Sequence, residues 1–386
     1  MKTYQNLLPQ VIQFKNFHSA ARQASKAKHY QPEVLAFNWQ LEENILSLQK
    51  SIFSGLYQPS QYRRFIVYDS KKREIVAPDF RDRVLHHALH NIIEPIFDRG
   101  FIFDSYACRQ NKGNHRAIKR LQNFLRTMLT ERERGQRELV RGGGELPAST
   151  AVGAGEIFVL KCDISRYFQN INHDILFNLV KKKIRDQEIL NLIKTIIDSH
   201  SPGVPIGNLT SQLFANIYLN ELDKFIKHTL RLKYYLRYMD DFLILGYNKK
   251  ELWSLKDQIQ EFLRQRLKLE FNPKQLGVSP ASQGIDFLGY VVFPYYCLLR
   301  QSTIRRYIKK IKAKIKKSGP NFLSSPEFKR SWASWRGYAK FAESWHLRKK
   351  IVKLFKDQAA LAKGRLNQLK TQNSKCKIAI QNSKVI

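Results

Sequence analysis

Acidic residues are scarce in this chain. Across 386 residues, 32 Asp and Glu stand against 67 Lys and Arg, a formal net charge of +35. An imbalance that large favours a polyanionic partner bound in a salt-sensitive way. A membrane surface is one such partner and is disfavoured here. No apolar run reaches the roughly 18 residues that a spanning helix requires, and no signal-peptide pattern or lipidation motif is present. Cysteine is sparse too. Cys108, Cys162, Cys297 and Cys376 are scattered with no CxxC pair. That excludes a disulfide framework or a zinc knuckle and fits reduced thiols in a cytoplasm. What is present is 43% hydrophobic content, enough for a large core or two to three subdomains.

The most informative stretch is Tyr238-Met239-Asp240-Asp241. Tyr234, Tyr235 and Leu236 precede it and the apolar run 242–245 follows, so the flanks read as two short buried strands joined by a tight turn. Ionised carboxylates at such a tip resist desolvation unless something cationic meets them. A divalent metal would offset that cost. Polymerases use a pair of ions about 3.5–4 Å apart to activate a 3′-hydroxyl and stabilise the departing pyrophosphate. A polar turn with solvated acids is the competing reading of the same four letters. A further carboxylate comes from 157–163, a strand-like run ending in Asp163. Ile164, Tyr167, Phe168 and Ile171 follow at helical spacing, so Asp163 is expected at a strand-to-helix corner. An Asp that only caps the next helix is the alternative.

With these residues in view, 62–290 resembles the reverse transcriptases. Asp163 falls at their first catalytic aspartate, and Asp240 and Asp241 match the pair of their YxDD motif. More narrowly, the chain is similar to the enzymes of diversity-generating retroelements. The segment 203–212, GVPIGNLTSQ, matches their GxPIGNxTSQ, and 81–89 and 104–109 match their finger motifs. The resemblance implies an α+β right-hand polymerase fold with fingers, an antiparallel palm and a helical thumb. It implies two Mg2+ ions, for which Mn2+ can substitute, held at Asp163, Ile164, Asp240 and Asp241. Lys71, Lys72 and Arg73 would grip the incoming triphosphate, Arg bidentately and Lys as a point charge. Their alternative is an exposed basic turn. Phe168 would lie under the sugar and clash with a ribose 2′-hydroxyl, with Tyr167 as the gate in a shifted register or both rings in the core. Gln212 would border the nucleotide. Lys274 could protonate pyrophosphate or simply be a surface lysine. Ile206 stands where many reverse transcriptases carry Gln. Losing that amide predicts weaker discrimination, by about 1–3 kcal/mol, and the resemblance to the diversity-generating enzymes implies that the errors fall at template adenines.

Along the chain, the pattern predicts helices over 34–52, 81–97, 117–129, 179–197, 209–230 and 253–267, and a strand pair over 62–67 and 74–77. His86, His87 and His90 read as packed or RNA-facing histidines rather than metal ligands. The basic loop at Arg109 and His115 is a candidate template contact, and Gly289 and Tyr290, in a segment that resembles the family's primer-grip hairpin, are candidate primer contacts. Residues 131–156, with three consecutive glycines, read as a disordered insertion. After 303 the chain is densely basic. Ile304, Ile308, Ile311 and Ile315 form an apolar stripe, and Arg305, Lys309, Lys312 and Lys316 are expected to follow a template–primer duplex. Trp332, Trp335, Ala339, Ala342 and Trp345 predict a second thumb helix, and Leu347, Ile351, Leu354 and Phe355 a third. The expected divisions are an N-terminal helical extension to 60, fingers over 61–156, palm over 157–295, thumb over 296–362 and a basic tail beyond.

The functional expectation is an RNA-directed DNA polymerase copying a template-repeat RNA from dNTPs, with an RNA template and a DNA or RNA primer. The resemblance implies a small basic helical oligomeric accessory protein as partner, no membrane, and a cytoplasmic setting in bacteria or phage. The thumb leaves no space for an added RNase H or endonuclease domain of typical size. A retron, group II-like or defence reverse transcriptase with ordinary fidelity is the alternative, and an inactive RNA-binding scaffold is a second.

Overall fold

The computed structural model describes residues 2–68, 72–142 and 156–382. Four helices come first: α1 (Leu8–Ile12), α2 (Phe14–Ser25), α3 (Pro32–Trp39) and α4 (Leu41–Phe53). The single helix expected over 34–52 is therefore two. Phe37, Ile45, Leu48 and Ile52 are buried as the periodicity requires, but the backbone leaves helical geometry at Gln40, with φ −116° and ψ 46°. The Asn44 side chain donates to the Phe37 carbonyl at 3.1 Å, satisfying an acceptor that the break releases.

Strands β1 (Arg63–Tyr68) and β2 (Lys72–Ala77) form an antiparallel ribbon in register from Arg63↔Ala77 to Tyr68↔Lys72. β1 is exposed along its whole length. Helices α5 (Phe80–Asp98) and α6 (Asn114–Gly142) follow. The insertion expected to be disordered from 131 is helical as far as Gly142, and 143–155 lies outside the described residues. Glu133 and Arg137, both exposed, place opposite charges four apart, a pairing that supports helix here.

Next come β3 (Phe158–Cys162), α7 (His173–Lys181), α8 (Gln187–Asp198), α9 (Leu209–Lys224), β4 (Tyr235–Tyr238), β5 (Asp241–Gly246), α10 (Lys249–Phe262) and β6 (Gly277–Pro280). The helix expected over 179–197 is interrupted because Asp186 caps a new one. Its Oδ1 accepts from the Ile189 amide at 3.1 Å, while Oδ2 accepts from the Leu7 and Leu8 amides at 2.6 and 3.2 Å. One buried carboxylate thus starts α8 and holds the entry to α1.

The chain divides into two compact units, one formed by Met1–Ala117 with Gly155–Pro280 and the other by Ile118–Ala154 with Ala281–Ile386. The first contains the sheet β4-β5-β3-β6, antiparallel throughout. Leu160, Cys162, Tyr235, Phe242 and Ile244 from this sheet share a core with Leu252 and Ile259 of α10. The second unit contains β7 (Ile285–Phe287), β8 (Tyr290–Val292), β9 (Cys297–Leu299), α11 (Gln301–Ser318), α12 (Pro326–Lys340) and α13 (Trp345–Asn382). The strands around Gly289 and Tyr290, expected with the palm, therefore group with α11, α12 and α13. Ile304, Ile311 and Ile315 are buried on α11, joined by Tyr307. Trp345, assigned by periodicity to the second thumb helix, instead opens α13 and is exposed. The tail beyond 363 continues α13 as helix to Asn382. Among the described residues, no helix is long and apolar enough to cross a membrane.

Replacing Asp186 with Ala removes an acceptor shared by three amides, so the expected loss is about 2–3 kcal/mol in denaturant unfolding. Amide hydrogen exchange at Leu7, Leu8 and Ile189 should accelerate first. Unchanged exchange at Leu7 and Leu8 would contradict the shared cap.

Candidate active site

The palm register brings the acids together. Cys162 pairs with Phe242 in the β3–β5 ladder, so one step further along Asp163 faces Asp241. Tyr238 pairs with Asp241 at the end of the β4–β5 hairpin, leaving Met239 and Asp240 at the tip. Met239 adopts a left-handed conformation with φ 57°. Asp163 is followed by a 3-10 turn over Tyr167–Asn170 and not by the expected α-helix, since Arg166 is left-handed and a regular helix cannot pass through it. Asn272 holds that corner in place. Its Nδ2 donates to Asp163 Oδ2 at 2.8 Å, and its backbone N–H donates to the Asp163 carbonyl at 2.8 Å.

Asp241 is the strained member. Its Oδ1 is buried and has no hydrogen-bond partner. Burial pushes its carboxyl up to about 7, with the Asp163 and Asp240 charges adding and Lys161 opposing. Like charges directly opposite on paired strands destabilise a sheet.

Beneath the turn lies a buried network that sequence reading missed. Arg237 and Asp223 are both fully buried. Arg237 Nε and Nη2 donate to the two Asp223 oxygens at 2.7 and 2.6 Å, and the Tyr235 hydroxyl donates to Oδ1 at 2.7 Å. The remaining nitrogen, Nη1, reaches Asn216 Oδ1 at 3.2 Å and the Met239 carbonyl at 3.0 Å. The available signal was an arginine in the middle of the apolar strand YYLRY, which a buried position tolerates only with a carboxylate partner.

Divalent cations such as Mg2+ take hard oxygen donors. An unpartnered, buried carboxylate oxygen beside a second carboxylate fits that requirement. Asp163 and Asp241, with Asp240 beside them, are the carboxylates that would hold such an ion. Among the described residues no three His, Cys, Asp or Glu side chains form a ready-made ligand cluster. The Ile164 side chain is buried in the core, so any contribution it makes is through its backbone.

The other candidates divide. Tyr167 is a core residue, 2% exposed, whose hydroxyl donates to the Ala215 carbonyl at 2.5 Å; Phe168 is only partly buried. Arg73 is exposed on β2; Lys72 is paired in the ribbon, and Lys71 lies outside the described residues. Ile206 is partly buried, and its carbonyl accepts the Val76 amide at 3.0 Å. Gln212 sits in the first turn of α9, and Lys274 is exposed in a 3-10 turn two residues from Asn272.

Two assignments are corrected. Arg109 does not reach outward: its side chain is 8% exposed, pairs with Asp98 at 2.5 Å and donates to the carbonyls of Ile102 and Ser105. Tyr290 is fully buried, with its ring 4.8 Å from that of Tyr338 and its hydroxyl bonded to the Tyr338 carbonyl, so its side chain is not a primer contact. Gly289 accepts the Tyr338 hydroxyl at 3.0 Å. His115 lies in the first turn of α6, and Arg305, Lys309, Lys312 and Lys316 are exposed along α11. His86 is 2% exposed, and burial holds its ring pKa down at about 4.

An antiparallel sheet with a paired-acid hairpin facing a third aspartate is the palm of the right-hand polymerase fold, in an α+β chain. The family model described as reverse transcriptase (RNA-dependent DNA polymerase) matches residues 68–292, and the chain belongs to that family. Protein YkfC of Escherichia coli (strain K12) is 26% identical over 287 residues, covering 63% of this chain and 69% of its own. Group II intron-encoded protein LtrA of Lactococcus lactis subsp. cremoris is 26% identical over 340 residues, covering 69% of this chain. The chain spans about half, 51%, of that relative's length. Among solved structures, telomerase from Candida albicans aligns over 67% of this chain and 50% of its own, at 11% identity and a TM-score of 0.40.

The raised Asp241 carboxyl has a definite sign. Its folded value exceeds the unfolded one, so ionisation opposes folding, and metal-free stability falls as pH rises from about 4 to about 7. Asp241→Asn should raise the unfolding free energy in EDTA at pH 8 by on the order of 2 kcal/mol, with a distinctly smaller gain at pH 5 and none at pH 3. Urea titrations at the three pH values check this. Equal stabilities at pH 8 would mean that neither burial nor the neighbouring carboxylates oppose ionisation of Asp241.

Proposed function

We propose that the chain is an RNA-directed DNA polymerase that copies an RNA template into DNA from dNTPs. The single observation carrying this is Asp163 facing Asp241 on adjacent palm strands, with Asp240 beside them, in a member of the reverse transcriptase family. When bound at these carboxylates, Mg2+ supplies charge stabilisation and activation of the attacking hydroxyl. The protein's own part is placement. Asn272 fixes Asp163, and Arg237 fixes the carbonyl of Met239 and with it the tip that carries Asp240. Arg73 is exposed to meet phosphate oxygens. Phe168 is the sugar gate, because Tyr167 is held in the core. The exposed cations of α11 meet nucleic-acid backbone.

Within this class, the segment 203–212 supports a diversity-generating enzyme. Its backbone is tied to β2 through Ile206 and Val76, while the Ile206 side chain offers no hydrogen bond to a base pair. Error at template adenines, mutagenic copying of a template repeat and a small basic accessory oligomer belong to this reading. So does a cytoplasmic bacterial or phage setting. A second reading, a group II-like enzyme of ordinary fidelity, is favoured by the match to LtrA, a group II intron-encoded protein.

Primer extension on an RNA template with Mg2+ tests the chemistry. Asp240→Asn should reduce extension by on the order of 100-fold or more; equal extension by both proteins would overturn the proposal. Deep sequencing of the cDNA separates the two readings. Ile206→Gln should change the error spectrum at template adenines by roughly 5- to 100-fold while altering total synthesis much less. Uniformly low error at adenines in the wild type would leave the group II-like reading.

A further inference from the structure

The second unit contains a cleft that the polymerase chemistry does not use. It holds about 500 Å3 between α12 and α13. Trp332 and Arg336 line it from α12, one turn apart. From α13 come Trp345, Arg348, Lys349 and Lys353, joined further along by Lys356, all at helical spacing on one face. Asp357 is the one acid in the lining.

Three features show what this wall suits. Trp332 is held by stacking on Trp335 at 5.4 Å and on Phe328 at 6.4 Å, so one aromatic surface is preset. Trp345 is 53% exposed, and the Lys349 ammonium lies 3.7 Å from its ring centroid. Together with Trp332, this exposed indole gives the cationic cleft an aromatic wall. The Arg348 Nε is buried with no hydrogen-bond partner, a desolvated donor lacking an acceptor at the cleft wall.

We propose that this cleft binds single-stranded nucleic acid, with an unpaired base stacked on Trp345 and the flanking phosphates neutralised by Arg348, Lys349 and Lys353. Indole faces accept any base, and cations at helical spacing follow a phosphate backbone. A duplex keeps its bases stacked internally and offers this cleft only phosphates. An acidic peptide would satisfy the charge but leave the exposed Trp345 indole without a planar partner. The proposal rests on the chain's having a nucleic-acid partner and not on its catalysis.

The test is fluorescence anisotropy of the full chain with labelled single-stranded RNA, the matching single-stranded DNA and a blunt duplex. Primer extension is run in parallel on a preformed template–primer. Trp345→Ala should weaken single-strand binding about tenfold, Trp345→Phe should keep it within about threefold, and duplex binding should be unchanged. Lys353→Gln should lower the slope of log affinity against log salt by about 0.7. A loss on RNA and DNA alike, or on one alone, supports the site and identifies the sugar it takes. Unchanged single-strand binding by Trp345→Ala, an equal loss on duplex, or full displacement of the RNA by a poly-glutamate peptide would overturn it. Failed extension with the Trp345 dependence intact would count against the polymerase reading and leave this site standing.

Discussion

The paired-acid turn depends on the ion pair between Arg237 and Asp223. Both side chains are removed from water entirely, a transfer that costs several kcal/mol per ion unless geometry and hydrogen bonds offset it. Here every guanidinium nitrogen has an acceptor, and the carboxylate also receives the Tyr235 hydroxyl. Burial works against the charge of Arg237, but Asp223 more than compensates and its pKa is raised. Such pairs add little net stability compared with a well-packed apolar replacement. What this one supplies is position: it joins α9 to β4 and grips the Met239 carbonyl, the backbone group immediately before Asp240.

That grip matters because the acids above it repel one another. Asp163 and Asp241 face each other across a ladder, and Asp240 adds a third charge. Left to themselves, such groups would separate or protonate. The turn cannot relax, because Met239 is held in a left-handed conformation from below and Asp163 is tied to Asn272 from the side. The backbone of Arg237 extends the same support: its N–H donates to the Asp104 carbonyl and its carbonyl accepts the Tyr106 amide. The loop carrying one of the finger motifs is thereby part of the platform.

A net charge of +35 describes the partner class better than it describes individual contacts. Arg109 counts among the cations, yet its donors are committed to Asp98 and to loop carbonyls. The exposed row on α11 and the cleft of α12 and α13 are different, since their cations face water or an aromatic wall. Charge sums cannot separate these cases because burial, not residue type, decides which cations remain available.

Local features were legible from the chain alone. The apolar flanks of Asp240 and Asp241, the run ending in Asp163, the GVPIGNLTSQ segment and the stripe of Ile304, Ile311 and Ile315 each have a short period or a motif that residue order carries by itself. The breaks at Gln40 and Asp186 were not legible, because each interrupts an apolar period: the first is met by a side-chain bond from Asn44 to the Phe37 carbonyl, and the second serves the amides of Leu7 and Leu8, distant along the chain. Nor were Arg237 with Asp223, Asn272 with Asp163, or the burial of Tyr290. Sequence order determined which chemical groups the protein carries and which strands and helices present them. Tertiary structure alone decided which charges meet, since two groups interact through distance and solvent exclusion, and neither is a function of separation along the chain.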